Sequence, residues 1–416
     1  MDKISQYIFD HWDDTVRYNP DDNGTLLGLP EKYIVPSVKD AFQELYYWDT
    51  YFACRGLALQ GRKELVRSNA ENFFYEVKKF GFIPNGSRTF YLNRSQPPFL
   101  GALTGLVLDL YPDDRCLREQ AREALQLEVS FWDTHRRDPE TGLYHYGSDP
   151  SESDIADFYQ VAVARRGADP QENDPQIRRK IALATLAEAE SGWDFTPRFE
   201  GNCHECAAID LNCLLFLSFK MLAKLSAPDS GQENFWQSRA DELNRNIHKY
   251  CRRQDGVFFD YNLREHRLCN VFSAASMYPL WSGIVNAADA DAARKECLEK
   301  LEYPFGISAA CREHAAGNWQ WDYPNGWPCL QLICFEALAK YGYQDDAARI
   351  ARKYINTVRE NFEKNNSLWE KYNVTDGSTR VTAEYEMPEM MGWTAGVYLT
   401  AKDFLENHQP KKEELS

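Results

Sequence analysis

The chain has 416 residues, 44% apolar and 26% charged, a balance that supports a folded protein with a substantial core. Its net charge of −16 excludes nucleic acid and anionic membrane surfaces as natural partners, because both demand a basic footprint. A small neutral or weakly anionic molecule fits without difficulty. Aromatic residues reach 14%, enough either to pad a core or to offer flat faces to sugar rings.

The N-terminus, MDKISQYIFDHWDDTV, has no basic region followed by an apolar run, and no stretch approaches ~20 continuous apolar residues. Eleven cysteines without regular spacing suggest reduced thiols rather than a disulfide framework. The expectation is a soluble, unexported, cytoplasmic protein. The one tight pair, Cys203 and Cys206 in GNCHECAAIDLN, lacks a second CxxC or an HxxxH to complete a zinc site, so buried thiols are expected and no metal.

In chain order, GRKELVRSNAENFFYEVKKFG places Leu65, Val66, Asn69/Ala70, Phe73, Phe74, Val77 and Phe80 on one face of a helix. Similar amphipathic patterns recur near 114–135, 176–190, 232–252, 288–301 and 344–362. Residues 207–225 and 328–342 are apolar on every side and predict helices buried all round. The whole pattern predicts about twelve or thirteen helices, amphipathic ones alternating with buried ones, as in a double-layered ring. Only short strand fragments are expected, with GVFFDYN (256–262) and RTFYLN (88–93) as rim hairpins. No linker divides the chain, so residues 1–416 read as one all-α domain, with a polar tail over about 408–416.

Five loop segments are dense in Trp, acids, amides and Arg. They are ELYYWDTYF (44–52), IPNGSRTFYLNRSQPPFL (83–100), AESGWDF (189–195), NWQWDYPNGWPCLQ (318–331) and WEKYNVTDGSTRVTAEYEMPEMMGWTAG (369–396). The third is ambiguous by itself. Ser191 and Gly192 stop a good helix, and Asp194 is then either a turn or cap residue, or a carboxyl aimed into a pocket.

ELYYWDTYF, PNGSRTFYLNRSQPP, AESGWDF, QWDYPNGW and EKYNV followed by EY and GWTAG resemble, in the same order, the signature segments of trehalases of glycoside hydrolase family 37. The resemblance runs from about residue 35 to 400 and implies an (α/α)6 toroid with its active site in loops at one end. It also implies hydrolysis of an α-glucosidic bond with inversion, without metal or cofactor. Such a reaction needs a protonated carboxyl on the leaving oxygen and a carboxylate activating water on the other face, roughly 6.5–9.5 Å apart.

By position in these motifs, Asp194 resembles the general acid and Glu370 the general base. Trp48, Asp49, Asn85, Arg94, Ser95, Gln96 and Gly192 resemble substrate-contacting positions. Glu384 lies in a further acidic word of the family, and Trp321, Asn325 and Trp393 are expected as pocket walls. Glu190 is expected on the helix surface or behind the site.

The chain departs from the family in two places. It has Ala41 where the signature carries Arg, and no Arg-Pro-Glu-Ser word between 150 and 175, where Arg165 and Arg166 are candidate stand-ins. Both departures concern the wall facing the leaving sugar. They leave an α-glucosyl osmolyte, such as glucosylglycerol or glucosylglycerate, as an alternative substrate to trehalose. A non-catalytic sugar-binding toroid is the alternative of a different class.

Overall fold

The computed structural model describes residues 1–227, 230–315, 319–382, 385–389 and 391–407. Glu384 and the 408–416 tail therefore lie outside the described residues. The chain opens with α1 (Lys3–His11), followed by α2 (Tyr47–Leu59), α3 (Lys63–Phe80), α4 (Leu100–Leu110) and α5 (Arg115–His135). Next come α6 (Glu152–Arg166), α7 (Pro175–Ser191), α8 (Ile209–Ser226) and α9 (Ser230–Tyr250). Then α10 (Tyr278–Ser282), α11 (Ala287–Lys300), α12 (Pro328–Lys340), α13 (Gln344–Asn365) and α14 (Gly392–Asn407) complete the described helices.

Six of these form a closed inner ring, in which α2 packs on α4, α4 on α8, α8 on α10, α10 on α12, α12 on α14, and α14 back on α2. Helices apolar on all sides take these places, since an inner helix has no wet face. In α12, for example, every residue from Pro328 to Phe335 is buried. The amphipathic α3, α5, α9 and α13 sheathe the ring with one face each, and α11 packs on the 3-10 turn Ala274–Met277 that leads into α10. Helix α1 joins the sheath through Gln60 donating to the Ser5 carbonyl and Lys402 pairing with Asp2. The architecture is the (α/α)6 toroid.

Ring closure depends on two glycines. A β-carbon on Gly396 of α14 would lie 2.0 Å from the Phe52 carbonyl oxygen, and one on Gly56 of α2 would lie 2.7 Å from the Gly396 Cα. Helices α6 and α7 form an additional pair with a small core of their own, Ile155, Tyr159, Ala182 and Leu186.

The described strands are two residues long. Asn325–Gly326 pairs antiparallel with Tyr372–Asn373, which sets the QWDYPNGW loop beside EKYNV. Within 256–262, Tyr261–Asn262 pairs with Cys206–Ala207 and Arg267–Leu268. The hairpin expected at 88–93 does not form. Arg88 makes a lone bridge to Leu26, and Thr89–Tyr91 turns as a 3-10 helix, with the Tyr91 ring packed edge-on to Tyr46. Alternation along a strand specifies structure only when a partner strand is available.

Candidate active site

The inner helices α2, α12 and α14 point their N-termini toward one mouth of the ring, where a cavity of about 890 Å³ opens. Positive helix ends therefore face a site whose lining includes the carboxyls of Asp49, Asp194 and Glu370.

Asp194 is delivered by the end of α7. Gly192 takes a left-handed conformation, φ +73°, and a β-carbon there would stand 2.9 Å from Trp48 Cζ2. Glycine is thus required by both backbone and contact. Beyond it, the Trp193 N–H donates to Ser191 Oγ at 3.1 Å, and the Asp194–Phe195 peptide is cis. Below the turn, fully buried Arg198 stacks on Trp193 and holds both Asp210 and Asp260. The helix end and the aimed carboxyl are the same feature. Burial pushes the Asp194 carboxyl up to about 6, nearby Arg94 and Arg165 oppose the rise, and Glu370 adds to it.

Glu370 has the opposite surroundings. Its Oε2 accepts from the ammonium of Lys371, and its Oε1 accepts from the Tyr385 hydroxyl at 2.5 Å. Its backbone carbonyl takes the Trp393 indole N–H at 3.1 Å, which fixes the strand beside α14. The third carboxyl, Asp49 in the first turn of α2, is pushed up to about 8, first by burial and further by the charges of Glu370 and Asp194.

The walls combine flat rings with polar groups. Trp321 and Trp327 stack face to face at 3.8 Å, with Trp393 edge-on to Trp327 at 5.6 Å. Arg94 lies between the Tyr91 and Phe158 rings, with its buried Nε left without a hydrogen-bond partner. An apolar ring face beside unspent donors suits a polyhydroxylated ring.

Of the expected contact residues, Trp48, Asp49, Asn85, Arg94, Gln96, Gly192, Trp321 and Trp393 line the cavity. Ser95 and Asn325 are not brought to its lining. The Ser95 hydroxyl donates to the Ile83 carbonyl at 2.6 Å, and Asn325 Nδ2 donates to the carbonyls of Gln320 and Thr382. Both side chains are consumed by neighbouring backbone. Glu190 is not on the helix surface: it is fully buried, gripped twice by Arg136, and accepts the backbone N–H groups of Ser95 and Gly147. It thereby ties the 85–96 loop to the end of α7.

The structure separates the two candidate stand-in arginines. Arg165 lines the cavity, as does Ala41, whereas Arg166 turns back to pair with buried Glu188 at 2.8 Å. Motif reading did not single out Lys371, Tyr385 or the cavity face of α6, Phe158 and Val161; of these, Lys371 and Tyr385 sat inside EKYNV and EY. Cys203 and Cys206 are buried, and among the described residues no group of three or more His, Cys, Asp or Glu side chains is placed to hold a metal ion. A second cavity lies at the other mouth of the ring, where Arg55 and Trp281 both donate to Glu336 and Lys340 donates to the Trp281 carbonyl.

The Trehalase family model matches residues 1–407. A periplasmic trehalase of Escherichia coli O8 (strain IAI1) is 32% identical over 409 residues, covering 92% of this chain and 70% of that protein, and one of Shigella flexneri serotype 5b (strain 8401) matches to the same extent. Among solved structures, the neutral trehalase Nth1 of Saccharomyces cerevisiae superposes with a TM-score of 0.77 at 26% identity, covering 96% of this chain and 80% of that one. A GH63 mannosylglycerate hydrolase of Thermus thermophilus, at TM-score 0.64 and 16% identity over 95% of this chain and 99% of that one, shares the fold.

The cytoplasmic location expected from the thiols and N-terminus is overturned by the Escherichia coli and Shigella flexneri relatives, which are periplasmic trehalases. The cysteine argument failed for a physical reason. Ten of the eleven cysteines are buried, so their irregular spacing reflects core packing and carries no information about compartment. The ring of alternating helices, the carboxyl-bearing cavity at one mouth, and the match over residues 1–407 place the chain in the trehalase family of glycoside hydrolases.

Proposed function

We propose that the protein hydrolyses trehalose to two molecules of glucose with inversion, Asp194 acting as general acid and Glu370 as general base. The observation that carries the assignment is the contrast between the two carboxyls. Burial favours a proton on Asp194, whereas both carboxyl oxygens of Glu370 accept hydrogen bonds, from the Lys371 ammonium and the Tyr385 hydroxyl. In the reaction, Asp194 gives its proton to the glycosidic oxygen as the C1–O bond breaks. Glu370 takes a proton from the water that attacks C1 from the opposite face. Trp48, Asn85, Arg94, Gln96 and the wall tryptophans hold the reacting glucose, and Arg165 serves the leaving sugar in place of the missing arginines. The periplasmic location of the relatives carries over as part of this reading.

Proton NMR of trehalose hydrolysis tests it. Inversion releases one β-glucose and one α-glucose per turnover at early times, whereas retention releases two α-glucose. Asp194→Asn and Glu370→Gln are each expected to lower kcat by about 10³-fold or more. Native turnover in both variants overturns the assignment, and glucose release from glucosylglycerol or glucosylglycerate but not trehalose overturns the substrate.

A further inference from the structure

Lys371 is fully buried between the base and the loop that supports the acid. Its ammonium has three directions to satisfy, and all three are taken: Glu370 Oε2, Gln320 Oε1 at 3.4 Å, and the face of Trp327, whose centroid lies 4.4 Å away. No donor is left for a substrate. The Gln320 amide continues the connection, its Nε2 donating to the Asp194 backbone carbonyl at 2.5 Å. Gln320 is itself clamped, its carbonyl accepting from Asn325 Nδ2 at 2.9 Å and Trp327 Nε1 at 3.1 Å.

This chain of contacts has one polarity. Turning the Gln320 amide over would set its NH2 against the ammonium and its oxygen against the Asp194 carbonyl, so the charge on Lys371 locks the amide orientation. The short ladder at Asn325–Asn373 and Gly326–Tyr372 holds both ends in register.

We propose that Lys371 is a positioning residue that, through Gln320, ties the orientation of Glu370 to the backbone carrying Asp194, so that base and acid keep a fixed relation across the sugar. The inference rests on the assignment of Glu370 as base. Around Glu370 stand Asp49, Asp194 and Tyr385, and the cavity also holds Lys39, Asp40, Arg94, Arg165, Glu386 and Glu389. Among the described cations, Lys371 is the one in ion-pair contact with Glu370. Loss of that ammonium removes the hydrogen bond to Glu370 Oε2 and leaves the carboxyl held by the Tyr385 hydroxyl on its other oxygen.

The test compares Lys371→Met, which keeps the stem and removes the charge, with Gln320→Leu and Glu370→Gln, each checked for folding by near-ultraviolet circular dichroism. For Lys371→Met, kcat on trehalose should fall about tenfold or more while KM stays within about threefold. Gln320→Leu should lower kcat in the same way. A folded Lys371→Met with native kcat, beside an inactive Glu370→Gln, overturns this inference alone; Glu370→Gln at the native rate overturns it together with the assignment of the base. If Lys371→Met does not fold, Gln320→Leu decides, and an unchanged kcat there overturns the inference.

Discussion

Gly192 faces the indole of Trp48 so closely that an added β-carbon would stand 2.9 Å from Cζ2, in a backbone conformation, φ +73°, that L side chains rarely adopt. Gly192→Ala should therefore cost about 2–4 kcal/mol, combining left-handed strain with overpacking. It should also lower kcat/KM by about tenfold or more, because Asp194 is two residues further on. Gly81→Ala is the control. Gly81 has φ +81° with open space around its β-carbon position, so only the strain of about 1–2 kcal/mol should be measured there by chemical denaturation.

On the proposed assignment of Asp194 as general acid, the pH dependence of kcat/KM follows from its carboxyl. A general acid works only while protonated, and burial places its proton loss at about 6. Activity of the free enzyme should fall by about tenfold per pH unit above that value. Initial rates at trehalose concentrations well below KM, measured across about pH 4 to 9, check this; an alkaline limb that stays in place in an Asp194→Glu variant would point to another group.

Arg165 and Arg166 should respond differently. Arg165 lines the cavity and its charge favours ionisation of Asp194. Arg165→Ala should raise KM for trehalose by about tenfold and shift the alkaline limb upward, because the proton on Asp194 is then held more tightly. Arg166→Ala removes the partner of Glu188, a fully buried carboxyl, and should appear mainly as lost stability of about 2–4 kcal/mol.

Glu76 of α3 is buried with Oε1 unpartnered, and burial pushes its carboxyl up to about 8. A raised carboxyl must take up a proton on folding once the unfolded chain has lost it. The stability of the protonated form is fully present below the ordinary glutamate value of 4.5 and is lost as pH rises toward 8. Glu76→Gln, which mimics the protonated acid, should be near neutral in stability at about pH 4.5 and gain on the order of 4 kcal/mol by about pH 8. Denaturant titrations of both proteins at several pH values measure the difference.

Much of the ring is readable from the chain alone. Residues 328–342 read as apolar on every side and form α12 of the inner ring, while 344–362 read as one-sided and form α13 of the sheath. The motif acids Asp194 and Glu370 come to one cavity although 176 positions separate them in the numbering. Other features are hidden. Periodicity cannot show that Glu190, at helical spacing from Asp194, is gripped by Arg136, because the partner lies 54 residues away at the exit of α5. Nor can it show that RTFYLN lacks a strand to pair with.

The sequence by itself placed residues 207–225 and 328–342 inside and 344–362 outside, because that depends on how many faces of each helix are apolar. It also marked the five loop words that carry the family resemblance, and the helix end at Ser191-Gly192. Only the tertiary structure decided which of two adjacent arginines enters the cavity, which of the expected contacts are spent on backbone, and that the buried Lys371 ammonium bonds Glu370 and, through Gln320, reaches the Asp194 backbone. These are matters of direction and distance between residues remote in the chain. One residue's rotation about a helix axis, such as that separating Arg165 from Arg166, reverses the outcome.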